Sequence, residues 1–267
     1  MAKRRLDSLL AERGLFPSRS RAAASVMAGE VRVGTGERRA SKPSEMVEEQ
    51  ELLRIDAPPA YVSRGGIKLQ NALESSGVDP KGRTALDVGA STGGFTDCLL
   101  QRGAAHVIAL DVGYGTLDYR LRSDERVTVM ERTNARALTP ELLAGATPDL
   151  ATIDVSFISL AKVLPAVLST LGTGYDVLAM IKPQFEVGRE RVGKGGVVRD
   201  PSHRREVLIA IGEAAIQTGA TVLGYHSSGL PGPKGNKETF IHLADEDQQG
   251  TRDAAKLAAM ASEVEPS

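Results

Sequence analysis

Cysteine is nearly absent from this 267-residue chain, and the single one, Cys98, excludes an intramolecular disulfide and a cysteine metal cluster. It falls within the apolar pattern of a helix, so a small core residue is expected there. Histidine is sparse as well: residues 106, 203, 226 and 242 are scattered without metal-ligand spacing, and no metal is expected. Nowhere do about eighteen apolar residues run together. The start, MAKRRLDSLLAERG, has a basic cluster but neither an apolar h-region nor a small-residue cleavage site, so a soluble, cytoplasmic protein is expected. Net charge is close to absent, at -1, yet it is unevenly spread. Residues 1–42 hold ten Lys or Arg against four Asp or Glu, which puts the start of any polyanion-binding face at the N terminus.

The chain is long enough for one medium domain and a small one, and its 41% hydrophobic residues can fill a core. The stretch TALDVGASTGGFTDCLLQ, residues 84–101, organises the larger part. A short apolar strand runs into a glycine-rich turn, and a helix with Phe95, Cys98 and Leu99 on one face follows. Glycines let a backbone approach a ligand closely, and free N–H groups at a helix start favour polar or anionic atoms. A dinucleotide turn would read G-x-G-x-x-G with a ribose-binding acid about twenty residues on. Here the spacing is G-x-x-x-G-G, with Asp87 before it and Asp111 ending the next strand, where it can accept from ribose hydroxyls. Asp87 suits the ammonium of a methionine moiety and would repel a pyrophosphate. This favours S-adenosylmethionine (SAM) over NAD, held by Asp87, Gly89, Ser91, Gly93, Gly94, Phe95, Thr96 and Asp111, with Asn134 placed to read an adenine edge.

Before this stretch, Leu6, Leu9 and Leu10 share a helical face that Gly14 ends, and Ser18 caps a second helix running to Gly29. Val31 and Val33 alternate with Arg32 in a strand, and Glu51–Ile55 reads as another. Residues 1–57 thus form a small α+β domain, and 58–66, with prolines at its start and glycines at its end, the linker. The run RLDSLLAERGLFPSRSRAAASVMAGEVRV resembles the alpha-L RNA-binding fold, an S-four-like domain. That resemblance implies phosphate contacts by Arg4, Arg5, Arg19, Arg21 and Arg32; the alternative is a solvated basic face.

From residue 84 strands and helices alternate, with strands expected at 84–88, 106–111, 127–130, 149–154, 175–181, 220–226 and 238–243. Helices are expected near 94–102, 137–144, 160–171 and 201–218, following one that carries Ile67, Leu69, Ala72 and Leu73 beside Lys68. This predicts an α/β fold: a mostly parallel seven-stranded sheet over 67–244, its last two strands an antiparallel edge hairpin. That is the Rossmann-like architecture of class I SAM-dependent methyltransferases. Residues 245–267 read as a polar, flexible tail.

Ligands sit at the carboxyl ends of such strands, where Asp154 and Lys182 end two strongly apolar runs. Opposite charges at adjacent strand ends can be a structural ion pair, or a lysine base with an orienting carboxylate. With Lys68 and Glu238 they match the K-D-K-E tetrad of RNA ribose 2'-O-methyltransferases. Together with SRGGIKL, LDVGASTGGFTD, MERTN, DVSFISL, KPQFE and KGGVVRD, the chain from residue 3 to about 243 resembles the TlyA (hemolysin A) family of ribosomal RNA 2'-O-methyltransferases, whose catalytic domain is FtsJ-like. The resemblance implies methylation of rRNA cytidines, with Lys182 taking the hydroxyl proton and Asp154, Lys68 and Glu238 orienting. The glycine-rich basic loop after Lys182, with Arg189, Arg191 and Lys194 beside Arg199, lies next to the pocket and is expected to contact RNA, as is Arg64; a mobile solvated loop is the other reading. An NAD-dependent oxidoreductase would leave the basic head and Lys182 without a role. A membrane-damaging protein would need an exposed amphipathic or spanning segment.

Overall fold

The structure, a computed structural model, describes all residues except 1, 2, 28, 37, 57–59, 233, 246–248, 266 and 267. Two units emerge, residues 1–59 and 60–267. In the first, β1 (Lys3–Arg5) leads directly into α1 (Leu6–Glu12), and α2 (Arg19–Met27) follows. Ser18 Oγ accepts from Arg21 N at 3.2 Å, the cap its position predicts. Leu6, Leu9, Leu10, Ala22 and Val26 bury against Val31, Val33 and Val47. The strands are β2 (Val31–Val33), β3 (Arg38–Arg39), β4 (Met46–Glu48) and β5 (Leu53–Ile55). They form a three-stranded sheet β3-β2-β5 and a separate pair β1-β4. β1, β3 and β4 are two or three residues long, too short to show a period in sequence.

The second unit opens with α3 (Arg64–Ser76), ended by Gly77 at φ 76°. Of the linker expected at 58–66, residues 58 and 59 lie outside the described residues, and its remainder is already part of this unit. Tyr61 is buried, Val62 N donates to Asp97 Oδ2 at 2.8 Å, and Arg64–Gly66 is the first turn of α3. The glycines suggested a loose end to the linker; packing of Val62 on Asp97 and entry of Gly65 and Gly66 into α3 remove that freedom.

The sheet strands are β6 (Thr84–Val88), β7 (His106–Leu110), β8 (Val127–Met130), β9 (Leu150–Ile153), β10 (Asp176–Ile181), β11 (Thr221–Ser227) and β12 (Thr239–Ala244). Their order is β11-β12-β10-β9-β6-β7-β8, parallel except for β12, which pairs antiparallel with both β10 and β11. Covering helices are α4 (Gly94–Gln101), α5 (Tyr119–Arg122), α6 (Leu164–Leu168) and α7 (Pro201–Gln217). Near 137–144 the expected helix is replaced by two 3-10 turns, Ala135–Ala137 and Pro140–Leu143. Asn134 caps the first, and Pro140 removes the donor that a continuous helix would need.

Residues 245–267 are not simply a tail. Asp253 accepts from Ala255 N at 2.9 Å and starts α8 (Ala254–Val264), whose Leu257 and Ala261 are wholly buried in the core that α7 shares. The cap and the i, i+4 pair were visible in DAAKLAAMA, but the flanking charges masked so narrow an apolar stripe.

Strand order reverses between β6 and β9. Chains leaving these two strands turn to opposite faces, which opens a crevice at their carboxyl ends. The backbone after β6 and Asp154 after β9 flank that crevice.

Candidate active site

Gly89 leaves β6 at φ 89°, and a Cβ there would stand 2.4 Å from the Asp154 carbonyl oxygen, so only glycine lets the two strand ends approach. Ser91 follows at φ 50°, its N–H donating to Asp111 Oδ2 at 2.8 Å. Gly113 N donates to Asp111 Oδ1 at 2.6 Å. Fixed on both oxygens, Asp111 keeps acceptor capacity for a ligand. A cavity of about 400 Å³ opens here, with Gly89, Ser91, Asp111, Asn134 and Asp154 among apolar residues such as Val88, Leu110, Val112, Ile158 and Val163. An apolar slot with one oriented acid suits a nucleoside.

A second cavity, about 370 Å³, shares Gly89, Ser91 and Asp154 with the first and collects all four residues of the expected tetrad. They form two ion pairs. Lys68, on the buried face of α3, pairs with Glu238 just before β12; they are 7% and 3% exposed. Lys182, at the end of β10, lies 2.5 Å from Asp154 Oδ1 and donates to Ser156 Oγ at 3.0 Å. The contact with Asp154 has ion-pair distance without hydrogen-bond geometry: Asp154 Oδ1 is buried and accepts no hydrogen bond. Asp154 Oδ1 thus meets the Lys182 ammonium at the junction of the two cavities, where the glycine cradle brings the ends of β6 and β9 together. The cradle at Gly89, with the oriented Asp111 carboxylate and the apolar slot beside it, fits SAM, a cation carrying ribose hydroxyls.

Three residues expected to hold the cofactor do other work. Asp87 is wholly buried beneath the turn and lines neither cavity; it accepts from Thr96 Oγ1 at 2.7 Å and Thr152 Oγ1 at 3.2 Å. Burial, more than the neighbouring Asp154 charge, pushes its carboxyl up to about 7. Its side of the strand points inward, so it ties the turn to α4 and β9 instead of meeting an ammonium. Thr96 is its buried partner. Gly93 is required by packing: a Cβ would stand 2.3 Å from Leu121 Cδ1. Gly94 and Phe95 do line the second cavity, where Phe95 packs on Phe240 with ring centroids 5.8 Å apart.

The arginines expected to bind RNA are mostly engaged by carboxylates. Arg5 and Arg19 converge on buried Asp7, at 2.7 and 3.2 Å, and the Arg5 hydrogen bonds hold that carboxyl down to about 2. Arg4 pairs with Glu12, Arg32 with Asp56, and Arg191 with Glu206. These are partly exposed pairs that phosphate can displace. Arg21, Arg189 and Lys194 are exposed, and Arg64 donates to the Pro231 carbonyl at 2.8 Å.

Sequence reasoning missed Ser156 and Phe157. Phe157 is 91% exposed at φ 63°, strained for a bulky residue, and its ring lies 5.0 Å from that of Phe185. Its one signal was an aromatic directly after the Asp154 strand end, in a chain with five phenylalanines.

Fold and cavities define a methyltransferase: residues 61–245 match the FtsJ-like methyltransferase family and residues 4–53 the S4 domain. The 16S/23S rRNA (cytidine-2'-O)-methyltransferase TlyA of Mycobacterium tuberculosis is 49% identical over 91% of both chains. Hemolysin A of Brachyspira hyodysenteriae is 38% identical over 90% of this chain and 99% of its own. A solved structure from Streptococcus thermophilus, provisionally described as a hemolysin, superposes with a TM-score of 0.74 at 39% identity, covering 98% of this chain and 96% of that one. The chain belongs to the TlyA family, as its motifs implied. Among the described residues no helix is long and apolar enough to cross a membrane.

Proposed function

We propose that this protein methylates ribose 2'-hydroxyls of ribosomal RNA, with SAM as donor and cytidines as targets, acting on ribosomal subunits in the cytoplasm. The observation that carries this reading is the meeting of Lys68, Asp154, Lys182 and Glu238 in one cavity continuous with a nucleoside-sized one. SAM supplies an electrophilic methyl group on a positively charged sulfur. Asp111 and Asn134 hold the nucleoside portion, and the glycine turn admits it. Lys182, aimed by Asp154 and Ser156, gives up its ammonium proton to solvent and then, as the neutral amine, takes the hydroxyl proton from the ribose as the oxygen bonds to the methyl carbon. Lys68, fixed by Glu238, lines the same cavity and helps orient the ribose, so positioning contributes much of the rate. Residues 1–57, with Arg4, Arg5, Arg19, Arg21 and Arg32, bind RNA phosphates, assisted by Arg64, Arg189, Arg191 and Lys194.

Incubating the protein with methyl-labelled SAM and separated ribosomal subunits tests this directly, because a blocked 2'-oxygen resists alkaline cleavage. Label in an alkali-resistant ribose of a cytidine is expected. Label on a nucleobase, or none on either subunit with SAM bound, would discard the reading.

A further inference from the structure

The far end of the chain reaches the pocket through buried polar contacts. Glu265, directly after α8, is 3% exposed, and its Oε2 accepts from Arg204 Nη2 on α7 at 2.8 Å; Arg204 is 6% exposed. Arg204 Nη1 in turn donates to the carbonyls of Arg199, at 2.7 Å, and Val198, at 3.2 Å. Val198 N donates to Asn236 Oδ1 at 2.9 Å, and Asn236 Nδ2 donates to Gly196 O at 2.8 Å. Gly196 and Asn236 stand with Lys182 and Glu238 in the wall of a third cavity, about 370 Å³, adjoining the catalytic one. Asn236 itself is 2% exposed and only two residues before Glu238.

Stability alone accounts poorly for this arrangement. A buried ion pair is a weak net stabiliser compared with apolar side chains of similar volume. Here the buried Arg204 Nε is left without a hydrogen-bond partner, which makes the pair poorer still. Nor does docking of α8 require it, since Leu257 and Ala261 are already wholly buried and Thr251 bridges to Val222. What an apolar pair could not supply is direction. The guanidinium's planar fork grips two successive carbonyls while the carboxylate fixes the fork's orientation.

We propose that Glu265 is a positioning residue for methyl transfer: through Arg204 it sets the 196–199 strap and Asn236, and so the placement of Glu238 against Lys68. The proposal rests on the methyl-transfer reading above. It locates a contribution to turnover outside the region that matches the methyltransferase family.

The full-length double variant Arg204→Met/Glu265→Leu fills the site with apolar side chains, and Arg204→Lys keeps the charge but lacks the fork. Thermal midpoint, SAM affinity by calorimetry, and kcat and KM for labelled transfer to ribosomal subunits are measured for both. Expected are SAM affinities within ~2-fold of the parent and a kcat lowered ~10-fold or more, since small misplacements are amplified at a reacting centre. Glu265→Gln, which keeps an acceptor for Arg204, recovers most of that turnover. Parental kcat in Arg204→Lys overturns the proposal even where the double variant fails to fold, as does a kcat that follows only the thermal midpoint. Absence of transfer by the parent protein would instead sink the functional reading.

Discussion

The two edges of the parallel sheet treat their charges in opposite ways. At the amino ends of the strands, Arg83 reaches Asp176 at 2.5 Å and Asp149 at 3.3 Å, and His242 Nε2 meets Asp176 at 2.7 Å. Strands β6, β9, β10 and β12 are thereby pinned, with each carboxylate holding a partner. At the carboxyl ends the Asp154–Lys182 and Glu238–Lys68 pairs stand in the wall of a cavity, and Phe157 stands exposed in a strained conformation. Charges paired away from the cavities hold the sheet; charges paired in a cavity wall, beside a strained exposed aromatic, stand where a ligand can reach them. Mutations at the two edges should therefore separate stability from catalysis.

The largest separation is expected at Lys182. Lys182→Ala removes the proton acceptor and should lower transfer by ~10³-fold, within the range for loss of a positioned base. Affinity for SAM should stay near that of the parent in calorimetry, because Asp111 and the glycine turn are untouched. Loss of SAM binding would reassign Lys182 to the cofactor.

Asp176→Asn should do the reverse. Burial pushes the Asp176 carboxyl up, but the His242 and Arg83 hydrogen bonds outweigh it and hold it below the ordinary range. Removing this partner leaves Arg83 partly buried and underpaired, for a loss of about 2–3 kcal/mol in urea unfolding. Turnover at a temperature where the variant is folded should be unchanged. In the parent this carboxylate stabilises the fold above its unfolded pKa, and the contribution fades as pH falls through the lowered native value.

Much of this contrast was legible before the structure. Strand periodicity, the G-x-x-x-G-G turn and charges closing apolar runs pointed to the crevice and to Asp154 and Lys182, local signals tied to strand ends; Lys68, on α3, and Glu238 entered only through the resemblance to the K-D-K-E tetrad. Which way a side chain points was not legible. Asp87 and Asp111 both lie at or just beyond strand ends, but Asp87 faces the core and Asp111 the cavity. Pairing is equally hidden: Arg5 and Arg19 looked free because their common partner, Asp7, becomes buried only once α1 and α2 pack. For α8, the burial of two small apolar positions against α7 outweighs a charged flank that reads as solvated.

Asp87 sharpens the comparison from beneath the pocket. With its carboxyl raised from the ordinary 3.8 to about 7, the folded state holds a proton that the unfolded state has released between those values. Stability from this group is greatest below about pH 4 and falls as pH rises towards 7, by at most about 1.4 kcal/mol per unit. Asp87→Asn cannot ionise, so its unfolding free energy should decline less steeply over pH 4–7 than the parent's. Parallel slopes would show that the carboxyl titrates normally.

The smallest expected change in stability is at Phe157, and there it is the disparity that informs. Its ring is 91% exposed, so Phe157→Ala should shift unfolding by no more than about 0.5 kcal/mol. An aromatic face presented to solvent beside Lys182, backed by Phe185, offers a nucleobase a stacking surface worth about 1–3 kcal/mol. The alanine variant should therefore raise KM for ribosomal subunits ~10-fold while SAM affinity holds. Phe157→Gly would in addition relieve the positive φ. If both variants keep the parental KM, the strain at Phe157 serves the loop's path around Asp154 and not the substrate.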